Sequence, residues 1–391
     1  MISKDSFQLI VVGTGAYVCG KKDDEYGTIL PAILMYAKKF NLRITITFAC
    51  NSAKGKENAE KKVHSLIKLV DIREKLDFDY VICDGNPEIF FRRLRNSHLN
   101  LFSIVSIPDQ FHFKWISSML KREIPTLSVK PLTLKYSEAK DLLKLSQEKK
   151  VSLFVEFHKR YDRQLRFARD TFKEGKLGIP LYSYTEYTQR KDIPLSSFRS
   201  WCEKTNIFSY LGVHYIDALF FVTGAKPLRV SSTGQKVFLK NQGINTFDSI
   251  QSSIIWEDVN KNTFNQTILC SWIESNYSSA MSKQNFNLIG SFGRIDCEQK
   301  ERGLRLLTDK LPTEEVNPDF TKMYKKNDCY EFEGYGIDSV VNFIHFVLES
   351  PFCTNDCRLC SVSDALISTS VIDAAAKSLE NDSNWQEIDL L

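Results

Sequence analysis

The run Phe7-Gln8-Leu9-Ile10-Val11-Val12 passes straight into Gly13-Thr14-Gly15-Ala16-Tyr17-Val18, and this junction constrains the fold more than any other stretch. A nearly continuous apolar hexapeptide reads as a central strand buried on both faces of a parallel sheet. A glycine pair placed directly after such a strand suits a tight turn whose backbone approaches a pyrophosphate. The third fingerprint position holds Val18 in place of glycine or alanine, so the fingerprint is incomplete. The helix expected next is delayed by Lys21–Tyr26 and begins near Ile29, with Pro31 tolerable in its first turn. Taken alone, the glycine pair is as well explained by a plain turn.

The rest of the first part supplies the missing context. Strands are expected at Leu42–Ala49, Asp79–Cys83, Leu101–Ser106, Thr126–Val129 and Val151–Phe157. Helices over about Ala53–Leu69, His112–Lys121 and Tyr136–Lys149 alternate with them. That alternation predicts a doubly wound, Rossmann-type parallel sheet. From about residue 158 the pattern changes to longer strands: Leu181–Thr188, Leu228–Val237, Ser249–Trp256, Asn265–Trp272, Asn285–Ile289 and Gly303–Thr308. These predict an α+β part, an open and mostly antiparallel sheet with helices on one face. A chain of 391 residues is too long for one ordinary core. The division expected is a dinucleotide-binding domain over 1–157 and a second, α+β domain over 158–391.

Composition narrows the class. A net charge of +4 with no basic block gives no reason to expect nucleic acid, and no apolar run approaches a membrane span. Ten scattered cysteines and an N-terminus without a signal-peptide pattern point to a cytoplasmic protein with reduced thiols. Cys353, Cys357 and Cys360 have a spacing used for iron–sulfur clusters, but their place before the last helix favours free thiols, and no metal is expected.

Three places carry candidate chemistry. Lys130 stands at the carboxyl end of the strand Thr126–Val129, where open α/β sheets present groups to ligands, and Pro131 ends the ladder after it. The end of the second strand, Asn51-Ser52-Ala53-Lys54, lacks the acidic residue that binds a ribose 2′-hydroxyl and offers groups able to accept a 2′-phosphate. The cofactor expected is therefore NAD(P), with a lean to NADP. Third, His214, Asp217 and Ala218 share a helical face after Gly212.

The order of these motifs resembles the glucose–fructose oxidoreductase/inositol dehydrogenase (Gfo/Idh/MocA) family. The residues that carry the likeness are the glycine loop, Ile107-Pro108-Asp109-Gln110-Phe111-His112, Val129-Lys130-Pro131, Phe157–Asp162, Gly175–Pro180 and Gly212-Val213-His214-Tyr215-Ile216-Asp217. The family's Glu-Lys-Pro signature is reduced here to Val129-Lys130-Pro131, and Tyr210 stands where its helix motif begins with aspartate.

The resemblance implies an NAD(P)-dependent oxidoreductase that moves a hydride between cofactor and a secondary alcohol or ketone of a sugar, sugar nucleotide or cyclitol. It implies cofactor contacts from Gly13, Gly15, Ala16, Tyr17, Asn51, Ser52, Lys54, Ser106, Pro108, His112 and Lys130. Catalytic roles fall to Lys130, His214 and Tyr210, and substrate contacts to Tyr161, Arg190, Lys191, Arg199, Trp201 and Asp217. The family's open sheet face forms homodimers or homotetramers, and its last helix, here 363–379, packs back on the first domain. Loss of two carboxylates near Lys130 leads to the expectation of a lowered lysine pKa. The departures keep two alternatives open: a dinucleotide-binding sensor without turnover, and net-neutral NAD-dependent glycoside chemistry.

Overall fold

A computed structural model describes residues 7–22, 25–72, 76–95, 100–349 and 358–390. The first unit comprises Met1–Leu132, Lys140–Tyr161 and Asp319–Val362. Its elements in chain order are β1 (Phe7–Val12), α1 (Ala16–Cys19), α2 (Ile29–Phe40), β2 (Ile44–Cys50), α3 (Ala53–Val70), β3 (Leu76–Ile82), α4 (Pro87–Arg93), β4 (Asn100–Val105), α5 (His112–Lys121), β5 (Thr126–Val129), α6 (Tyr136–Lys149, in this unit from Lys140) and β6 (Leu153–Glu156). The sheet order is β3-β2-β1-β4-β5-β6, all parallel, with Cys360–Ser361 antiparallel on β6. This is the dinucleotide-binding order, with its switch point where β2 and β4 flank β1.

β1 is buried along its whole length, as its apolar composition demands. The delay after the glycine loop is real: α1 is one turn, and Gly20 and Gly27, both at positive φ, bracket the break before α2. Lys62 of α3 holds that break in place, donating to the carbonyls of Lys22 and Glu25 (2.6 Å to the latter).

The expected division at residue 158 needs correction. Residues Asp319–Val362 belong to the first unit, because helix Tyr335–Glu349 packs on α2 and buries Val340, Phe343 and Ile344 in the first core. A hairpin, Lys322–Lys326 with Cys329–Glu333, precedes it. Helix Val362–Glu380 falls almost wholly in the second unit.

The second unit, Thr133–Ala139, Asp162–Pro318 and Ser363–Leu391, is built on α7 (Arg163–Lys173), β7 (Pro180–Arg190), α8 (Val213–Thr223), β8 (Lys226–Gln235), β9 (Ser249–Glu257), β10 (Thr263–Glu274), β11 (Ser282–Gly290) and β12 (Arg294–Glu298). The order is β12-β11-β7-β10-β9-β8, with Gln386–Glu387 at the edge. All pairs are antiparallel except β7 with β10. The strand expected at Gly303–Thr308 shrinks to Arg305–Leu306, paired with Glu314–Glu315 away from the main sheet. α8 covers one face: Tyr215 meets Tyr187 edge-on at 5.7 Å, and Gln266 donates to the Tyr215 carbonyl at 3.0 Å. The other face exposes Tyr182 (48%) and Tyr184 (41%).

Candidate active site

The carboxyl ends of β1, β4, β5 and β6 are neighbours in the first sheet, and each is followed by residues singled out in the sequence. Gly13 follows β1 at φ +105°, and a Cβ there would lie 2.2 Å from the Ser106 carbonyl oxygen. Only glycine fits, because the chain after β4 crosses here, with the Ser106 amide donating to the Val12 carbonyl at 2.9 Å. Gly15 is different: a Cβ would meet nothing within 4 Å. The loop therefore lies open at Gly15, and Gly15 and Ala16 are exposed. Thiols beside the loop are inert: burial pushes Cys19 up to about 11 and Cys50 up to about 12.

At the end of β2, Asn51, Ser52 and Lys54 are exposed. Ser52 caps α3, its hydroxyl accepting from the Gly55 amide at 3.2 Å. Pro108 opens the turn Asp109–Phe111, whose Asp109 is buried. His112 reaches the Pro131 carbonyl through Nδ1 at 2.7 Å and the Ile107 carbonyl through Nε2 at 2.9 Å. The ring thus sits between the loop after β4 and the loop after β5, which gives this residue a positioning part. The Lys130–Pro131 peptide between them is cis.

Lys130 is half-buried at the end of β5, and burial pulls its pKa from 10.5 down to about 8. The sequence led to a lowered pKa for another reason, the loss of anionic neighbours. That reason is corrected here: Asp109 and Glu156 both push the value back up. Glu156, the last residue of β6, is buried and densely held. Its Oε1 accepts from Ser339 Oγ at 2.6 Å and from Tyr17 OH at 3.1 Å, and His158 Nδ1 lies 3.4 Å from Oε2. Tyr17 OH also meets His158 Nδ1 at 3.3 Å, and the imidazole stacks on Tyr335. Asp109 and His158 fall inside motifs quoted from the sequence but were given no role there, and Glu156 was not singled out at all. The signal for Glu156 was a lone charge ending an otherwise apolar strand, which reads equally as a strand boundary. Tyr161 is buried in the same unit, accepting from Asn342 Nδ2 at 2.7 Å, with the Arg358 guanidinium 5.2 Å from its ring centre.

The second unit holds the remaining candidates. Tyr210 lies on the π-helical turn Phe208–Gly212, and its ring packs with Phe198, Trp201 and Trp272 at 5.1, 5.4 and 6.2 Å. Tyr210 and Trp201 thus share one aromatic cluster. His214 and Asp217 are buried on α8, and His214 lies 6.3 Å from the Tyr187 ring. The three basic candidates have partners of their own. Arg190 binds Ser278, Lys191 sits 4.9 Å over the Phe238 ring, and Arg199 donates to the Gly243 carbonyl at 3.0 Å and pairs with Glu203. Cys353 and Cys357 lie outside the described residues, and Cys360 is buried beside β6. Among the described residues no cluster of histidine, cysteine and carboxylate groups could hold a metal, and no helix is long and apolar enough to cross a membrane.

Residues 55–157 match the Gfo/Idh/MocA oxidoreductase family, described as having an NAD-binding Rossmann fold. That match covers about a quarter of the chain, nearly all of it within the first unit. Over 124 residues it is 27% identical to the rhizopine catabolism protein MocA of Rhizobium meliloti, covering 32% of this chain and 38% of that protein. It is 23% identical over 135 residues to the 2,7-anhydro-N-acetylneuraminate hydratase of Mediterraneibacter gnavus, 34% and 36% of the two chains. The chain thus spans roughly a third of the length of these relatives. Among solved structures, myo-inositol 2-dehydrogenase from Lactobacillus plantarum aligns with a TM-score of 0.70 and 14% identity over 98% of this chain and 100% of that one. The scyllo-inositol dehydrogenase of Lactobacillus casei, with bound NAD(H) and scyllo-inositol, gives 0.69 and 12% over 98% and 99%. At such identities these likenesses establish the fold. The family match begins at residue 55, after the glycine loop and its interrupted helix.

Proposed function

We propose that this chain is an NAD(P)-dependent dehydrogenase or reductase acting on a secondary alcohol or ketone of a sugar, sugar nucleotide or cyclitol. The observation that carries the reading is Lys130, a half-buried amine at a strand end of a dinucleotide-binding sheet, with its pKa near 8. A bound nicotinamide dinucleotide would accept or supply the hydride. In oxidation, neutral Lys130 takes the hydroxyl proton as the carbonyl forms, and in reduction its ammonium returns it. His214 is assigned a second acid–base role and Asp217 an orienting one, while Tyr210, neutral at pH 7, supplies a hydrogen bond without charge. Gly13 and Gly15 admit the pyrophosphate, and Asn51, Ser52 and Lys54 face the adenosine ribose, with NADP favoured for want of a carboxylate there. The inositol dehydrogenases among the structural neighbours favour a cyclitol or sugar.

The test is direct. Purified protein should bind NADPH or NADH with quenching of tryptophan fluorescence. Lys130→Ala should lower turnover by at least about a hundredfold while leaving dinucleotide affinity within a few-fold. Absence of binding to either dinucleotide at millimolar concentration refutes the reading. A second reading, net-neutral chemistry through transient oxidation, draws on the hydratase among the curated relatives. It requires product without net change in cofactor absorbance, together with deuterium exchange at the oxidised carbon. Binding without turnover over a broad sugar panel would instead identify a sensor.

A further inference from the structure

Lys130 lacks the carboxylate that the family signature places immediately before it, since position 129 is valine. In the parallel pair β5–β6, Val129 is the register partner of Glu156. Adjacent strands lie about 4.8 Å apart, so the carboxylate missing from one strand end reappears on the next, beside the same lysine. Nothing in an apolar strand end requires a buried glutamate. Burying a carboxylate is costly unless it is hydrogen-bonded or faces a positive charge, and this one has both kinds of support. Ser339 and Tyr17 donate to Oε1, His158 lies at Oε2, and the Lys130 ammonium feels its charge.

We propose that Glu156 is the positioning residue for Lys130, supplying from the neighbouring strand the negative charge that the signature has lost at position 129. Three hydrogen-bonding partners fix the carboxylate, so the amine is drawn to one place and the ammonium formed on proton uptake is met by a fixed counter-charge. The groups facing this pair within the first unit are Asp109 from the turn after β4, His112 from α5, Tyr17 from α1, and His158 and Tyr335 beside Glu156. Asp109 also faces the lysine, so loss of Glu156 weakens its hold without abolishing it. This inference rests on the dehydrogenase reading for its catalytic meaning, but the hold on Lys130 can be measured without turnover.

The amine is titrated by pH-dependent reductive methylation of the full-length protein, with the Lys130 peptide quantified by mass spectrometry. An opposing charge raises a lysine's pKa, so Glu156→Gln, which keeps the hydrogen-bonding shape, should lower the Lys130 midpoint by about 1 unit. Oxidative turnover needs the neutral amine, so the acid limb of its pH profile should move down by the same amount. The double variant Val129→Glu/Glu156→Gln returns the charge to its signature position and should restore both midpoints. If Glu156→Gln does not fold, Glu156→Asp, with the charge drawn back by one methylene, should give a smaller shift of the same sign. An unchanged Lys130 midpoint in the folded variant overturns the proposal. A shifted midpoint in a protein without dinucleotide-dependent turnover upholds Glu156 and removes the dehydrogenase reading instead.

Discussion

Two glycines two residues apart should respond oppositely to the same substitution. Gly13→Ala puts a methyl group 2.2 Å from the Ser106 oxygen at φ +105°. The conformation alone costs about 1–3 kcal/mol, and the clash adds to it, so the melting temperature should fall. Gly15 has an extended backbone and open space around its Cα. Gly15→Ala should melt like the parent and lose dinucleotide affinity by about tenfold or more, read by fluorescence titration, because the methyl occupies the room a phosphate needs. Equal loss of stability in both variants would contradict this division. The glycine pair was legible because its strand is apolar but for Gln8. Glu156 was not, because its meaning lies in register with Val129, and register between strands joined through a helix leaves no local mark on the sequence.

Among elements, the broken first helix is the main departure from an ordinary glycine loop. Lys62, 8% exposed, reaches from α3 to the carbonyls of Lys22 and Glu25 and passes 5.4 Å from the Tyr26 ring. Lys62→Met keeps the apolar stem and removes the donors, so urea unfolding should show a loss of about 1–2 kcal/mol with an unchanged slope. No loss would mean that the loop holds itself. The delay of α2 to Ile29 could be read from Lys21–Tyr26 and Pro31, as polar residues cannot continue a buried helix. The single turn Ala16–Cys19 could not be read, being too short to show periodicity.

For the whole molecule, both sheets were legible from strand spacing except at one edge of the second, where Arg294–Glu298 pairs instead of the expected Gly303–Thr308. The membership of Asp319–Val362 was not legible. Its helix is amphipathic whichever core receives it, and only packing on α2 decides. The exposed face of the second sheet is mixed: Tyr182 and Tyr184 stand beside Thr267, Asn265 and the Lys283–Glu186 ion pair at 2.7 Å. Such a surface suits an interface with aromatic anchors. We expect a dimer or tetramer by light scattering, and Tyr184→Asp should lower the mass by at least half at micromolar concentration. A monomer in the parent protein would end that expectation.

The one-turn helix after the glycine loop also bears on how an anion is held. A long helix sums many aligned peptide dipoles into roughly half a positive charge at its start, while Ala16–Cys19 contributes a single turn. The pyrophosphate of a dinucleotide would meet little of that field. Its affinity here would come from close backbone contact at Gly15 and from the adenosine end, so it should vary less with ionic strength than in a protein whose glycine loop opens a full-length helix.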